Sequence, residues 1–188
     1  MKNIRAAADY IKSRGVTEAI IGIVLGTGLG NLALQIDAEE IIDYADIPNF
    51  PVSTVESHSG KLIYGNLNGK KVLAMQGRFH YYEGYSGQEI TFPIRVMKLL
   101  GIEKLLISNA AGTVNPNFKK GELMLIDDHI NMLPDNPLRG KNFDELGPRF
   151  PDMSQPYNKE MNDLLKVIAK EKGITLHEGV YTPVAGPN

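Results

Sequence analysis

The spacing of apolar residues predicts alternating helices and strands in the first half of the chain. A helix ending near Gly15 is predicted by apolar residues at helical spacing, namely Ile4, Ala7, Ala8 and Ile11. The β-branched run 19–25 is closed by glycines and is typical of a buried strand. Apolar stretches at 61–67 and 70–75 flank Asn68-Gly69, which is a strong signal for a β-hairpin.

The second half of the chain continues the alternation but contains one long aperiodic segment. Ser86 and Glu89 form a capping box that predicts a helix over 86–100, stopped by Gly101. The remaining predictions are strands at 104–108 and 123–126, a long ordered loop with five prolines at 131–157, a helix at 158–172 and a strand at 174–185.

This order of elements predicts a single α/β domain over residues 1–188. Strands alternating with helices favour a three-layer architecture, in which helices flank a central sheet. The hairpin reverses the chain, so the sheet is expected to be mixed rather than wholly parallel. The last strand leads to Gly186-Pro187-Asn188 without a following helix, so we expect the domain to be incomplete at its C-terminus.

Composition narrows the possible functions without assigning one. Of the 188 residues, 43% are hydrophobic and 22% charged, and the net charge of −2 provides no basic field for nucleic acid. The absence of cysteine excludes disulfides, thiolate metal sites and a cysteine nucleophile. The histidines are not spaced as metal ligands, and no apolar run approaches the roughly 20 residues of a membrane span. We therefore expect no metal and no membrane, and a cytoplasmic location by default.

The densest candidate chemistry lies in residues 76–85, directly after the apolar run 72–75. This loop contains Arg78, His80, Glu83 and three tyrosines. Arginine offers a planar fork of donors for a phosphate or carboxylate, histidine adds a titratable donor, and tyrosine rings suit a sugar or a base. A solvated loop with satisfied aromatics is the alternative for any one residue, but it accounts poorly for the whole cluster.

Other candidate motifs are weaker when taken singly. Gly26-Thr27-Gly28-Leu29-Gly30 follows the first strand and fits either a phosphate site or a tight structural turn, while Asn31 departs from the dinucleotide-binding fingerprint. His58 fits a polar loop residue, and Asn109 fits either a turn or a site that offers the Ala110 N–H to a ligand. Asp127-Asp128-His129 could suggest a metal, but adjacent aspartates point to opposite faces of an extended chain, which favours a structural role.

Taken together and in order, the motifs resemble those of the trimeric, low-molecular-mass purine nucleoside phosphorylases, which prefer 6-oxopurines. The matching segments are Gly26-Thr27-Gly28-Leu29-Gly30, His58-Ser59-Gly60, Gly77-Arg78-Phe79-His80-Tyr81-Tyr82-Glu83-Gly84, Ser108-Asn109-Ala110-Ala111-Gly112, Arg149-Phe150-Pro151-Asp152-Met153-Ser154, Gly179-Val180-Tyr181 and Gly186-Pro187-Asn188. The resemblance implies phosphorolysis of inosine- and guanosine-type ribo- and deoxyribonucleosides to free base and pentose 1-phosphate. Phosphate is then a co-substrate, and no cofactor is implied.

The resemblance also implies roles for individual residues. These are catalysis by His80 and Glu83; phosphate binding by Thr27, His58, Arg78, His80 and the Ala110 N–H; sugar binding by Tyr82 and by Phe150 reaching from a neighbouring subunit; and a purine pocket at Asn109 and Gly112. A contribution of Phe150 to a neighbouring site implies a homotrimer in which assembly is part of catalysis.

Two alternative functions stay open at the level of sequence. The purine-binding residues that follow the Gly-Pro-Asn turn in the family have no counterpart here, so the chain alone could be a catalytically silent phosphate-binding or assembly fragment. An activity like that of the methylthioadenosine phosphorylases is the other alternative. Those enzymes share the fold but lack the His-Ser-Gly and Arg-Phe-His-Tyr-Tyr-Glu-Gly forms present in this sequence.

Overall fold

The computed structural model describes residues 1–52 and 60–186, which form two compact units. The first unit comprises Met1–Ala110 and Asp135–Gly147, and the second comprises Ala111–Pro134 and Pro148–Asn188. The prediction for His58 and the part of the final turn formed by residues 187–188 lie outside the described residues. The assignment of residues 1–188 to one domain stays a prediction.

A mixed five-stranded sheet forms the centre of the first unit. Its strands are β1 (Ile21–Val24), β2 (Asp37–Asp43), β3 (Lys61–Leu67), β4 (Lys70–Gln76) and β5 (Lys104–Ile107), in the order β2-β3-β4-β1-β5. The pairs β2–β3 and β3–β4 are antiparallel, whereas β1 is parallel to both β4 and β5. The predicted mixed sheet is therefore confirmed.

Helices cover both faces of this sheet. They are α1 (Lys2–Ser13), α2 (Gly30–Ala33), α3 (Gly87–Ile90) and α4 (Phe92–Leu99). Leu62 and Leu73 belong to a core cluster with the buried residues of α1 and α4, which include the four apolar positions predicted for the first helix. Their sequence neighbours Ile63 and Val72 belong to a second cluster with Ala33 of α2. Because successive side chains of a strand point to opposite faces, this one sheet packs against a hydrophobic core on each face.

The β3–β4 hairpin forms where the sequence predicted it. Leu67 pairs with Lys70 across the turn, and both turn residues adopt positive φ, 49° at Asn68 and 77° at Gly69. The Gly69 N–H also donates to Asn66 Oδ1 at 2.7 Å. Asparagine and glycine tolerate this left-handed conformation better than other residues, which is why the dipeptide fixes the turn.

Three elements of the first unit differ from the prediction. The helix expected over 86–100 is divided into α3 and α4 at Thr91, because Pro93, in the first turn of α4, has no N–H to continue the earlier helix. The capping box itself is present, with Glu89 N donating to Ser86 Oγ at 3.3 Å and Ser86 N donating to Glu89 Oε2 at 2.8 Å. Strand β2 and the short helix α2 were not predicted, since β2 is largely charged and lacks apolar alternation.

The second unit contains the parallel strands β6 (Leu123–His129) and β7 (Leu176–Tyr181) and the helix α5 (Lys159–Glu171). Strand β6 extends beyond its predicted end, and β7 is shorter than predicted. Helix α5 begins one residue after its predicted start and ends one residue before its predicted end, with Asn158 as the N-cap whose side chain accepts from Met161 N at 2.9 Å. Residues 131–157, which are all described and contribute to both units, contain neither helix nor strand, as expected. No helix in the described part of the chain is long and apolar enough to cross a bilayer.

Candidate active site

The first unit brings three loops to one edge of its sheet. Strands β4, β1 and β5 are adjacent and parallel, with Val24 opposite both Met75 and Ile107 at their carboxyl ends. Ligands in α/β folds bind at such edges, because loops from neighbouring strands converge there. The loop after β1 carries Thr27, and the loop after β5 carries Ala110, so this edge gathers the candidates that the sequence distributes over 84 residues of chain, 27–110.

Ser108 connects the ends of β1 and β5. Its hydroxyl accepts from the Gly26 N–H at 2.9 Å and donates to the Val24 carbonyl at 3.2 Å. Gly26 packs so closely that a Cβ added there would lie 2.6 Å from the Ser108 carbonyl oxygen. Glycine at position 26 is therefore required by close approach of the two backbones.

Arg78 extends from the end of β4 to the end of β5. Its Nη1 donates to the Ser108 carbonyl at 2.9 Å. Strand β1 lies between these two strands, and neighbouring strands are about 4.8 Å apart, so the side chain and its hydrogen bond together bridge about 10 Å. The guanidinium group is therefore bonded to the residue, Ser108, that also binds the Gly26 N–H at the end of β1.

His80 is held by Glu83, three residues further along the chain. Glu83 Oε1 lies 2.6 Å from His80 Nδ1 and also accepts from the His80 backbone N–H at 2.9 Å. The Glu83 side chain is only 3% exposed, whereas that of His80 is 26% exposed. A carboxylate that is ionised accepts but cannot donate; in that state Nδ1 carries the proton, and Nε2 is the ring atom that can meet a ligand.

Tyr82 provides an aromatic surface beside this histidine. Its ring stacks on the His80 ring with centroids 4.9 Å apart and an interplanar angle of 17°. Tyr82 is 54% exposed, so part of the ring remains available to a ligand. The short 3-10 helix Tyr81–Glu83, which ends at Gly84 with φ of 95°, sets this arrangement.

Aromatic packing beneath the loop fixes its position. Phe79 is buried between Tyr44 and Tyr85, with ring centroids 5.4 and 5.7 Å away. The Tyr44 hydroxyl donates to the Gly77 carbonyl at 2.9 Å, and Gly77 has a φ of 101°. Burial raises the pKa of the Tyr44 phenol far above its ordinary value, which keeps the hydroxyl protonated as a donor. The Tyr85 hydroxyl donates to the Val52 carbonyl.

Of the other predicted site residues, only some belong to the unit that forms this edge of the sheet. Asn109 is there, with its Nδ2 donating to the Ala110 carbonyl at 3.2 Å. Gly112 and Phe150 belong to the second unit, where Phe150 is 87% exposed and the Arg149 guanidinium carbon lies 6.0 Å from its ring centroid. Sequence reasoning assigned no role to Ser108, although a hydroxyl at the end of a predicted strand was a usable signal. No local sequence pattern indicated the role of Tyr44, because this residue is distant in sequence from the loop that it supports.

The described residues contain no group of three or more His, Asp or Glu side chains arranged to hold a metal ion. The segment Asp127-Asp128-His129 instead completes β6, with a bulge between Ile126 and Asp128. Asp128 Oδ1 accepts from the backbone N–H of His129 at 2.8 Å.

Comparison with known proteins gives consistent results. A family model described as the phosphorylase superfamily matches residues 20–188. Purine nucleoside phosphorylase 1 of Geobacillus stearothermophilus is 54% identical over 184 residues, which cover 98% of this chain and 67% of the relative. The purine nucleoside phosphorylase of Mus musculus is 49% identical over 173 residues, or 89% of this chain and 60% of the relative.

A solved structure is similarly close. Isoform 2 of purine nucleoside phosphorylase from Schistosoma mansoni, in complex with cytosine and ribose-1-phosphate, is 49% identical, with a TM-score of 0.93. The match covers 100% of this chain and 67% of that one. The chain thus spans about two thirds of the length of these relatives, or somewhat less.

Proposed function

The chain belongs to the phosphorylase superfamily and, within it, to the purine nucleoside phosphorylases, and we propose that the edge formed by β4, β1 and β5 binds its phosphate. The observation that supports this site most strongly is the combination of Arg78 across the end of β1 with a histidine fixed by a nearly buried carboxylate. Both groups are donors suited to an oxyanion, and Arg78 shares its partner Ser108 with Gly26 of the glycine-rich loop that carries the Thr27 hydroxyl.

The proposed reaction is phosphorolysis of inosine- and guanosine-type ribo- and deoxyribonucleosides. An oxygen of phosphate forms a bond to C1′ of the pentose, while the C1′–N bond to the purine breaks. The base leaves with the electron pair of that bond and takes up a proton, and pentose 1-phosphate remains. Positive charge develops on the sugar in between, so a bound phosphate dianion close to C1′ stabilises the transition state and removes the entropic cost of encounter.

In this proposal different residues bind the phosphate, the sugar and the purine. Phosphate is held by Arg78, His80, the Thr27 hydroxyl and the Ala110 N–H, with Glu83 keeping His80 in its binding tautomer. His58 is assigned to the same ligand. Sugar binding is assigned to Tyr82 and to Phe150 from a neighbouring subunit of a homotrimer, and the purine is assigned to Asn109 and Gly112. The homotrimer, the cytoplasmic location and independence from cofactors stay predictions.

The test is phosphate-dependent release of hypoxanthine from inosine by the 188-residue protein. We expect turnover that requires phosphate and that falls sharply in Arg78→Ala, with Arg139→Ala as a control for loss of an exposed arginine in the same unit. Equal hydrolysis of inosine with and without phosphate would show that the proposed reaction is wrong. Methylthioadenosine, tested in parallel, distinguishes the related phosphorylase activity by faster turnover than inosine.

A second candidate is a catalytically silent phosphate-binding protein. It rests on the same contacts of Arg78 and His80, without the step at the nucleoside. Its prediction is distinct: phosphate binds and Arg78→Ala abolishes binding, while no purine nucleoside is cleaved at any phosphate concentration. Calorimetric titration of phosphate beside the turnover assay separates the two candidates.

A further inference from the structure

We infer that Ser108 is the positioning residue that sets the geometry of the phosphate site, holding both the glycine-rich loop and Arg78. The inference rests on the proposed phosphate site but assigns a role to a residue outside the proposed ligand set. Ser108 directly follows β5 and is in contact with polar groups from the ends of the other two strands of the site. Its side chain binds the end of β1, and its main-chain carbonyl binds Arg78 at the end of β4.

The side chain of Ser108 is fully used on the β1 side. Its hydroxyl has one donor, which goes to the Val24 carbonyl, and it accepts the Gly26 N–H. The Ser108 backbone N–H also donates to the Val24 carbonyl at 3.2 Å, so that oxygen accepts two hydrogen bonds from Ser108. Gly26 directly precedes Thr27, and fixing its N–H therefore fixes where the loop leaves the strand.

The main chain of Ser108 is used on the β4 side. Its carbonyl oxygen accepts from Arg78 Nη1 at 2.9 Å. The same oxygen is the atom that a Cβ on Gly26 would approach to 2.6 Å, so loop and guanidinium are packed around one carbonyl. A guanidinium group is planar, and a hydrogen bond at one Nη constrains the plane in which its other donors lie.

These contacts make the separation between the loop and Arg78 depend on the hydroxyl of Ser108. If the hydroxyl is removed, the Gly26 N–H loses its acceptor and the end of β5 loses its side-chain bond to β1. The carbonyl that orients Arg78 then shifts with the end of β5. A site preorganised for a tetrahedral anion loses affinity when its donors must be ordered on binding.

The experiment is calorimetric titration of inorganic phosphate into the 188-residue wild type, Ser108→Ala, Ser108→Thr and Thr91→Ala. Ser108→Thr retains the hydroxyl and is expected to bind phosphate as the wild type does. Thr91→Ala is the control. It removes a hydroxyl that donates to the Gly87 carbonyl at 2.8 Å, a bond at the junction of α3 and α4 and not at the proposed site. Ser108→Ala is expected to bind phosphate about tenfold more weakly, which corresponds to about 1.4 kcal/mol.

If Ser108 contributes only to the stability of the fold, the experiment gives a different result. In that case, Ser108→Ala and Thr91→Ala both lower the unfolding temperature, and both keep the phosphate affinity of the wild type within a factor of about two. That result, or a Ser108→Thr variant as weak as Ser108→Ala, overturns the inference. If Ser108→Ala does not fold, Ser108→Cys replaces it, because a thiol has similar size but is a weaker donor and acceptor.

Failure of the inference is distinguishable from failure of the proposed site. If the wild type and Arg78→Ala bind phosphate equally, the proposed site is wrong and the role of Ser108 is wrong with it. If Arg78→Ala abolishes binding while Ser108→Ala leaves it unchanged, the site stands and only the positioning role is lost.

Discussion

One carboxylate oxygen of Glu83 holds His80 at two points, 2.6 Å from the ring Nδ1 and 2.9 Å from the backbone nitrogen. The ring orientation and the start of the 3-10 helix are therefore fixed by the same atom. Because the Glu83 side chain is nearly excluded from solvent, little water competes for it. The histidine is thus oriented before any ligand arrives.

Replacing Glu83 should release His80. We expect Glu83→Ala to weaken phosphate binding about 10- to 100-fold, the range expected from loss of a hydrogen bond to a charged group. Ring ¹⁵N chemical shifts of His80 should change from a single tautomer to a mixture. Glu145→Gln is the control, since Glu145 pairs with Arg5 in an exposed ion pair. An unchanged His80 tautomer in Glu83→Ala would contradict the role assigned to the carboxylate.

Adding one methyl group at Gly26 should disrupt the junction of β1 and β5. A Cβ at this position would be 2.6 Å from the Ser108 oxygen and 2.8 Å from the Ser108 carbonyl carbon, which are backbone atoms that cannot rotate away. We expect Gly26→Ala to lower the free energy of unfolding by about 1–3 kcal/mol and to weaken phosphate binding. Denaturant titration and calorimetry measure the two effects.

The matched control lies in the same loop. Gly30 is the first residue of α2, and a Cβ there meets no atom within 4 Å. Gly30→Ala should be neutral or slightly stabilising, because alanine has the higher helix propensity. Equal behaviour of the two alanine variants would show that close approach does not explain the requirement for glycine at position 26.

Tyr44→Phe tests the support beneath the loop. The variant keeps the ring that packs on Phe79 but removes the hydroxyl that donates to the Gly77 carbonyl. We expect a loss of about 1 kcal/mol in the free energy of unfolding at neutral pH, measured by urea denaturation. A variant as stable as the wild type would mean that the Gly77 carbonyl is satisfied by water at no cost.

The same residue predicts a pH dependence in the alkaline range. Burial raises the pKa of Tyr44 in the folded protein above the ordinary value of 10.0. Above about pH 10 the unfolded chain therefore releases a proton that the folded protein keeps, so stability falls as pH rises. The wild type should lose stability more steeply than Tyr44→Phe in this range. Tyr10→Phe, which removes a surface hydroxyl, should follow the wild type.

Phe150 tests the proposed assembly. A phenylalanine that is 87% exposed contributes little to its own unit, so a contact with another subunit is the proposed reason for it. We expect Phe150→Ala to shift the oligomer towards monomer in multi-angle light scattering without changing the circular dichroism spectrum. Leu34→Ala, which truncates another apolar side chain that is 82% exposed, should leave the mass unchanged. An identical mass for wild type and Phe150→Ala removes the basis for this assignment.

The parts of the fold that sequence predicted are those determined by neighbouring residues. The hairpin turn depends on Asn68-Gly69 and the nearby Asn66 side chain, and the first helix depends on apolar spacing within a few turns. Strand β2 was missed because it is held by pairing with β3 rather than by its own pattern, as the partners Asp37 and Asn66 illustrate. Local propensity carries little information about such an edge strand.

The site shows the same division between local and distant determinants. Arg78 and His80 could be proposed from the sequence because they follow a strong strand signal within one short loop. The bond from Gly26 to Ser108 joins residues 82 apart in the chain, and no local pattern indicates it. What brings them together is the position of β1 between β4 and β5, which only the pairing of the whole sheet determines.

That central position of β1 also has a kinetic consequence. The β3–β4 hairpin can close early because its strands are adjacent in sequence, whereas Ile23 must find Ala74 on one side and Leu106 on the other. Closing such long loops is entropically costly and slow. Partly folded chains that contain only the hairpin therefore lack the proposed phosphate site. If phosphate binds there as proposed, it binds only the completed sheet and stabilises the last folding step by mass action.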